Sequence, residues 1–258
     1  MNKLFDISGK VVLLTGGAKG LGRMIAEGFV DAGCKVYITS RDRDGCEQAA
    51  REMSASGSCV ALPADLATAD AAVALATTFK SHESQLDILV NNAGRSWGAP
   101  LESFPDKAWA AIMAVNVQAP FTLVRELLPL LKSAGSADDP SRVINIGSLA
   151  GAVVEKLSAY SYAASKAAIH HLSRTLAAEV AKHHITVNVI VPGYFPTQMT
   201  AHIRKQDDEA QKLLARVPLA RFGRPDDVVG ACTFLASRSG SYITGSEIFL
   251  DGGMGGCR

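Results

Sequence analysis

The chain has 258 residues, 48% of them hydrophobic and 20% charged, which suits one compact domain with a large core. A formal net charge of +1 supplies no electrostatic attraction to nucleic acid or to an acidic membrane. No apolar run approaches the ~20 residues of a membrane span. The N-terminal stretch Met1–Asp6 lacks the apolar block of a signal peptide, so the expected compartment is the cytosol. Cys34, Cys46, Cys59, Cys232 and Cys257 are odd in number, with no Cys-x-x-Cys among them, and read as reduced thiols. The histidine pairs His170-His171 and His183-His184 do not have metal-ligand spacing, and no metal site is expected.

Short β-branched runs alternate with longer helical patterns. Strands are predicted at Lys10–Thr15, Lys35–Thr39, Ser58–Pro63, Leu86–Asn91, Arg142–Gly147, Thr186–Val191 and Glu247–Leu250. Most are nearly continuous apolar runs, as in strands buried on both faces of a parallel sheet. Helices are predicted at Leu21–Ala32, Gly45–Ser56, Ala69–His82, Pro105–Lys132, Tyr160–His183 and Pro225–Ser237. Repeated βα units of this kind form a single α/β domain over residues 1–258: a Rossmann-type, doubly wound, parallel seven-stranded sheet with helices on both faces. Two segments break the rhythm. Ser133–Ser141 is a long polar loop with no functional reading. Tyr194–Gly223 follows a strand end and has room for two helices; it reads as a lid over the site, or else as a packed surface insertion.

The first strand runs into Thr15-Gly16-Gly17-Ala18-Lys19-Gly20-Leu21-Gly22, which opens the first helix. Glycines there let a backbone turn approach a pyrophosphate closely, and the helix N-terminus favours its charge. The spacing Gly16, Gly20, Gly22 differs from the common Gly-x-Gly-x-x-Gly fingerprint. At the end of the second strand, Ser40 occupies the position where NAD-binding sites carry an acid, and Arg41 follows. With Lys19 in the turn, two cations and no carboxylate select NADP(H), unless both are ordinary surface cations. Asp42 and Asp44 read as acids at a helix start.

Tyr162 and Lys166 stand four residues apart on a predicted helix and share a face. A phenol titrates near pH ~10, and an adjacent ammonium is expected to lower that value and make the pair an acid/base. Ser148 ends a predicted strand upstream, where it could bond a substrate oxygen or simply cap a turn. Tyr160 has Ala164 four residues on and no such partner.

With these residues placed, the chain resembles the short-chain dehydrogenase/reductase family from Lys10 to Gly253. Thr15, Gly16, Gly20 and Gly22 match its cofactor turn. Asp65-Leu66 matches the position that contacts adenine, and Asn91-Asn92-Ala93-Gly94 the segment that steadies the sheet and flanks the cofactor. Asn116, Ser148, Tyr162 and Lys166 match the catalytic tetrad; Pro192-Gly193 and Thr197 match the stretch that meets the nicotinamide. The resemblance implies that Lys166 holds the nicotinamide ribose and that Asn116 supports a water relaying protons to Lys166. An asparagine inside a helix could also satisfy backbone groups there. Within the family, Asn91–Ala99, Ala137–Gly147 and Ile243–Gly253 look like the NADPH-dependent β-ketoacyl reductases.

The expected activity is therefore hydride transfer from NADPH to a ketone, foremost a 3-oxoacyl thioester carried on coenzyme A or acyl carrier protein. A sugar, steroid or other small alcohol or ketone is the alternative. A cofactor-sensing regulator is disfavoured because Tyr162 and Lys166 are both present, and a cofactor-free fold-mate because the glycine turn is intact. Trp97 is expected near the carbonyl, with Val153, Val154, Leu157, Phe195, Met199 and Ile203 as apolar walls. Arg204 and Lys205 could meet an acidic carrier, or form a solvated face. Family members are usually tetramers, and Leu127, Leu130, Leu172 and Leu176 could line an interface or cover the sheet of a monomer.

Overall fold

Alternation within the strands sets the architecture. In β1 (Val11–Thr15), Val12 and Leu14 join one apolar cluster while Val11 and Leu13 join another on the opposite side. The computed structural model describes residues 3–155, 157–197 and 207–257. Among them β2 (Lys35–Thr39), β3 (Ser58–Ala61), β4 (Ile88–Asn91), β5 (Ser141–Ile146), β6 (Ile185–Pro192) and β7 (Glu247–Leu250) complete a seven-stranded sheet in the order 3-2-1-4-5-6-7. Every pairing is parallel, which explains the unbroken apolar runs in sequence.

On one face lie α1 (Gly20–Asp31), α2 (Arg43–Met53) and α8 (Pro225–Ala236), burying Ile25, Phe29, Cys46, Met53 and Cys232. On the other lie α3 (Ala69–His82), α5 (Ala119–Ala134) and α6 (Tyr160–Val180), burying Phe79, Leu123, Leu127 and Val180. Leu127 thus covers its own sheet and is not available to an interface. The long helix expected from Pro105 divides into α4 (Lys107–Met113), a π-helical turn at Ala114–Gln118, and α5. A further helix, α7 (Asp207–Leu214), falls in the segment read as a lid. No helix among the described residues is long and apolar enough to cross a membrane.

The polar loop before β5 has a structural role. Arg142 is fully buried; its Nε donates to the Leu235 carbonyl (2.9 Å) and its Nη2 to Asp139 (3.0 Å) and the Ser237 carbonyl (2.9 Å). Lys10 donates to the second Asp139 oxygen at 2.7 Å. The loop therefore supplies the carboxylate that neutralises a buried guanidinium and ties β5 to the end of α8.

Because β1 is flanked by β2 and β4, the order in which strands are added reverses between β1 and β4. A crevice opens there at the carboxyl ends of the strands. Leu14 pairs with Val90, Asn91 with Asn145, and Ile146 with Ile190, so Gly16, Asn92, Gly147 and Pro192 arrive at the same edge.

Candidate active site

Three successive turns of α6 face the end of β5. Lys166 is buried, and its Nζ donates to the Ile146 carbonyl at 2.7 Å. The same Nζ lies 5.8 Å from the centroid of the Tyr162 ring. Burial disfavours the ammonium and pulls the Lys166 pKa down to about 8. Ser148 leaves β5 and opens a short 3-10 turn, its Oγ accepting from the Ala150 amide at 3.2 Å. It also stands close enough to the Tyr162 phenol to pull that group's pKa down. Ser148 thus caps a turn, as one of its two readings held, and stands beside Tyr162.

The direction expected for Tyr162 is reversed. Burial raises its pKa above the usual phenol value; the Ser148 bond opposes this, and the nearby Glu155 carboxylate adds to it. Desolvation wins because Lys166 directs its ammonium at a backbone carbonyl rather than at the phenol oxygen. Glu155 is itself held by the Tyr194 hydroxyl at 2.9 Å, a polar pair with no local signal in the residue order.

Asn116 sits in the π-helical turn, a local distortion that frequently marks functional sites. Its side chain does not serve its own helix. Oδ1 accepts from the Arg95 amide (2.8 Å), and Nδ2 donates to the Arg95 carbonyl and to Ser165 Oγ (both 2.9 Å). Ser165 in turn donates to the Tyr162 carbonyl at 2.7 Å. Asn116 thereby staples the loop after β4 to α6. A methyl group placed on Gly94 would lie 3.7 Å from Asn116 Oδ1 and 3.9 Å from Lys166 Nζ, so both groups border the space over Gly94.

A cavity of about 370 Å³ joins this cluster to the glycine turn. It is lined by Gly16, Lys19, Gly20, Leu21 and Gly22 from the turn, and by Asn92, Ala93 and Gly94 after β4. Ser148, Tyr162, Lys166, Pro192, Gly193 and Thr197, also predicted, line it too, with Ile146, Gly147 and Phe195 added. Phe195 was expected only as a substrate wall. Gly147 carried a signal, as a glycine directly before Ser148.

The turn fits a pyrophosphate. A Cβ on Gly22 would lie 2.3 Å from the Gly16 carbonyl oxygen, and Gly16 has φ +71°, so side chains are barred from the cradle. Lys19, at the N-cap position of α1, makes no side-chain cap, which leaves the first-turn N–H groups open to an anion. Asn92 braces the turn from β4, its Nδ2 donating to the carbonyls of Thr15 (2.9 Å) and Gly16 (3.1 Å).

The other predicted cofactor residues lie outside the cavity lining. Thr15 is buried beneath it, its Oγ1 accepting from the Asn92 and Ala93 amides at 3.0 Å. Gly17 packs against Ile38. Ser40 and Arg41 follow β2, and the Ser40 carbonyl accepts from Ala64, one residue before Asp65. Asp65 is exposed while Leu66 is buried in the core, so only the former can reach a ligand by its side chain. Lys19 forms an exposed ion pair with Asp42 at 3.0 Å, and Asp42 caps α2 through the Gly45 amide, as its helix-start reading implied.

Of the apolar residues expected at the substrate end, Trp97, Val154 and Leu157 are exposed, and so is Leu101. The loops that carry them are joined by the Ala99 amide on the Ser158 carbonyl (3.0 Å). Phe104 stacks edge-on against both Trp109 and Tyr160, an aromatic rim not anticipated from sequence. Val153 packs on the cluster of Leu149, Leu213, Val217 and Met254. Met199, Ile203, Arg204 and Lys205 lie outside the described residues. Among the described residues no cluster of three or more His, Cys, Asp or Glu could hold a metal ion.

A family profile described as enoyl-(acyl carrier protein) reductase matches residues 16–255. The chain is 46% identical to the rhamnolipids biosynthesis 3-oxoacyl-[acyl-carrier-protein] reductase of Pseudomonas aeruginosa, over 98% of this chain and 99% of that one. It is 34% identical to the 5-keto-D-gluconate 5-reductase of Escherichia coli K12, over 98% of each. Among solved structures, the Pseudomonas aeruginosa RhlG/NADP active-site complex superposes with a TM-score of 0.96 at 45% identity, covering 99% of this chain and 100% of that one.

Proposed function

Because the chain belongs to the short-chain dehydrogenase/reductase family, we propose that it is an NADPH-dependent reductase of 3-oxoacyl thioesters. One observation carries the chemistry: Tyr162, Ser148 and Lys166 open onto the same cavity as the glycine cradle. The substrate class follows the 46% identity, over nearly the whole of both chains, with a 3-oxoacyl-[acyl-carrier-protein] reductase. The coenzyme follows the NADP complex of the structural relative, together with Lys19 and Arg41.

The backbone of Gly16–Gly22 would hold the pyrophosphate, Lys19 and Arg41 the 2′-phosphate, and Lys166 the nicotinamide ribose. When bound, NADPH supplies the hydride. Ser148 and Tyr162 donate hydrogen bonds to the ketone oxygen and stabilise the charge that develops there. Tyr162 gives its proton to that oxygen. A phenol whose pKa is held up by burial is a protonated donor at neutral pH, which suits the reductive direction. Lys166 then supplies charge beside the phenolate, and Asn116 borders the path by which a water could restore the proton.

The exposed apolar side chains Trp97, Leu101, Val154 and Leu157 support an acyl chain as the group flanking the ketone, borne on acyl carrier protein or coenzyme A. A polyol ketone is the second reading. The Glu155–Tyr194 pair favours it, because it offers hydrogen bonds beside Tyr162. Residues 194–223 serve as the lid, since Phe195 and Thr197 line the cavity and Leu213 and Val217 pack under Leu149. A homotetramer is supported by a groove of Met113, Val117, Phe121 and Leu172 on the outer helices. The five unpaired cysteines suit the reducing cytosol.

The test is coenzyme consumption with a short 3-oxoacyl thioester, run with NADPH and with NADH and compared with a keto sugar acid. Rapid loss of NADPH with the thioester is expected. Turnover of the sugar acid alone would favour the second reading, and turnover of neither would remove both.

A further inference from the structure

Tyr162 and Lys166 are followed one turn later on α6 by a third polar side chain against the end of β5. His170 is 3% exposed, and its Nε2 accepts from the Ser148 amide at 3.3 Å. Its Nδ1 lies 3.1 Å from Glu247 Oε2, at the start of β7. A backbone N–H can only donate and a carboxylate can only accept, so the ring must be neutral with its proton on Nδ1. The ring also occupies the space beside Gly147: a Cβ there would lie 2.2 Å from His170 Nε2. Lys166 holds Ile146 by its carbonyl and His170 holds Ser148 by its amide, on either side of a residue that must be glycine to admit the imidazole.

We propose that His170, oriented by Glu247, is a positioning residue that fixes Ser148 against Tyr162 through the Ser148 backbone. The inference rests on the reductase reading above. The other local bonds of Ser148, from the Ala150 amide to its Oγ (3.2 Å) and from the Gly151 amide to its carbonyl (2.9 Å), stay within the turn that it opens, so His170 is what ties its amide to α6; small misplacements of a catalytic hydroxyl are expensive. The device has a defined failure. Protonation turns Nε2 into a donor facing a donor, and the hold on Ser148 is lost. The charged groups around the ring are Glu247 on β7 and Lys166 and Arg174 on α6, with Arg174 also bound to Glu247. Burial keeps the ring neutral, while the Glu247 carboxylate works the other way.

Three variants and one spectrum test this. His170→Phe fills the space but cannot accept; kcat should fall about 10- to 100-fold, with the Kd for NADPH and the Tm little changed. His170→Gln restores an acceptor and should recover most of kcat. Glu247→Gln keeps an acceptor for Nδ1–H but removes the charge that favours the imidazolium, so the acid limb of kcat should move to lower pH. In 15N spectra of the free protein the ring should be the Nδ1–H tautomer. Wild-type kcat in His170→Phe would overturn the proposal, as would a His170→Gln variant of normal Tm no better than His170→Phe. An Nε2–H tautomer would overturn it as well, whatever substrate the enzyme accepts. If the wild type reduces no ketone, the functional reading fails on its own, and the tautomer still decides this inference.

Discussion

Lys166 and Tyr162 share one face of α6, yet the Lys166 ammonium is bound to the Ile146 carbonyl and lies 5.8 Å from the centre of the Tyr162 ring rather than on its hydroxyl. The two groups are displaced by burial in the directions that neutralise both: the phenol upward, the ammonium downward. A protonated tyrosine and a lysine that titrates near neutrality are suited to delivering a proton and being recharged.

Tyr162→Phe removes the proton donor but leaves the ring in place. Turnover should fall by roughly 10²- to 10⁴-fold, with NADPH binding, followed by coenzyme fluorescence, nearly unchanged. Normal turnover in this variant would exclude Tyr162 as the acid.

Lys166 should produce an alkaline limb in kcat/KM near pH 8 rather than near the ordinary lysine value, since its folded pKa is about 8. The sign for stability is also fixed. Between about 8 and the ordinary lysine value of 10.5 the unfolded chain binds more protons than the folded one, so stability rises with pH across that window. Lys166→Met should therefore be inactive but more resistant to urea at pH 7, because it removes a buried charge. A variant less stable than the wild type at pH 7 would contradict this.

The ion pair of Lys19 with Asp42 bears on coenzyme choice. Arg41→Ala should lower the NADPH-over-NADH ratio of kcat/KM about 10- to 100-fold, the range of a lost charge-assisted bond. Asp42→Asn keeps the cap on α2, because asparagine caps as well as aspartate. It frees Lys19, and NADPH should bind several-fold more tightly. Competition between the two coenzymes in stopped-flow binding would read both effects, and an unchanged ratio in Arg41→Ala would remove Arg41 from the phosphate site.

Arg142 lies far from the chemistry and should matter only for stability. Arg142→Leu strands the Leu235 and Ser237 carbonyls and leaves Asp139 to Lys10 alone. A loss of about 3–5 kcal/mol is expected in urea unfolding, with kcat unaltered in the folded fraction. A change below about 1 kcal/mol would mean that the apolar replacement packs well enough to offset the lost bonds.

The sheet, its parallel sense and most element positions were legible because strands buried on both faces must be apolar throughout, whatever the neighbouring helices are. Lys35–Thr39, Ala69–His82 and Glu247–Leu250 fall where the local pattern put them. Gly16, Gly20, Tyr162 and Lys166 were legible for a similar reason, since a tight turn and a four-residue helical spacing are local facts. What lay beyond local reach depends on which strand ends meet. The pairing of β5 with β4 and β6 brings Gly147 and Ser148 to the crevice; only then does His170 find the Ser148 amide, and Glu247, 77 positions further along the chain, find His170. The same holds for Asn116, whose partners Arg95 and Ser165 come from a loop and another helix. The pKa of Tyr162 was misjudged from sequence because spacing reveals the neighbouring charge but not the water removed by packing. The residue types and periodicity thus determined the fold and the candidate reacting groups, while the tertiary structure decided the bracing and protonation of those groups, which depend on burial and on contacts between distant segments.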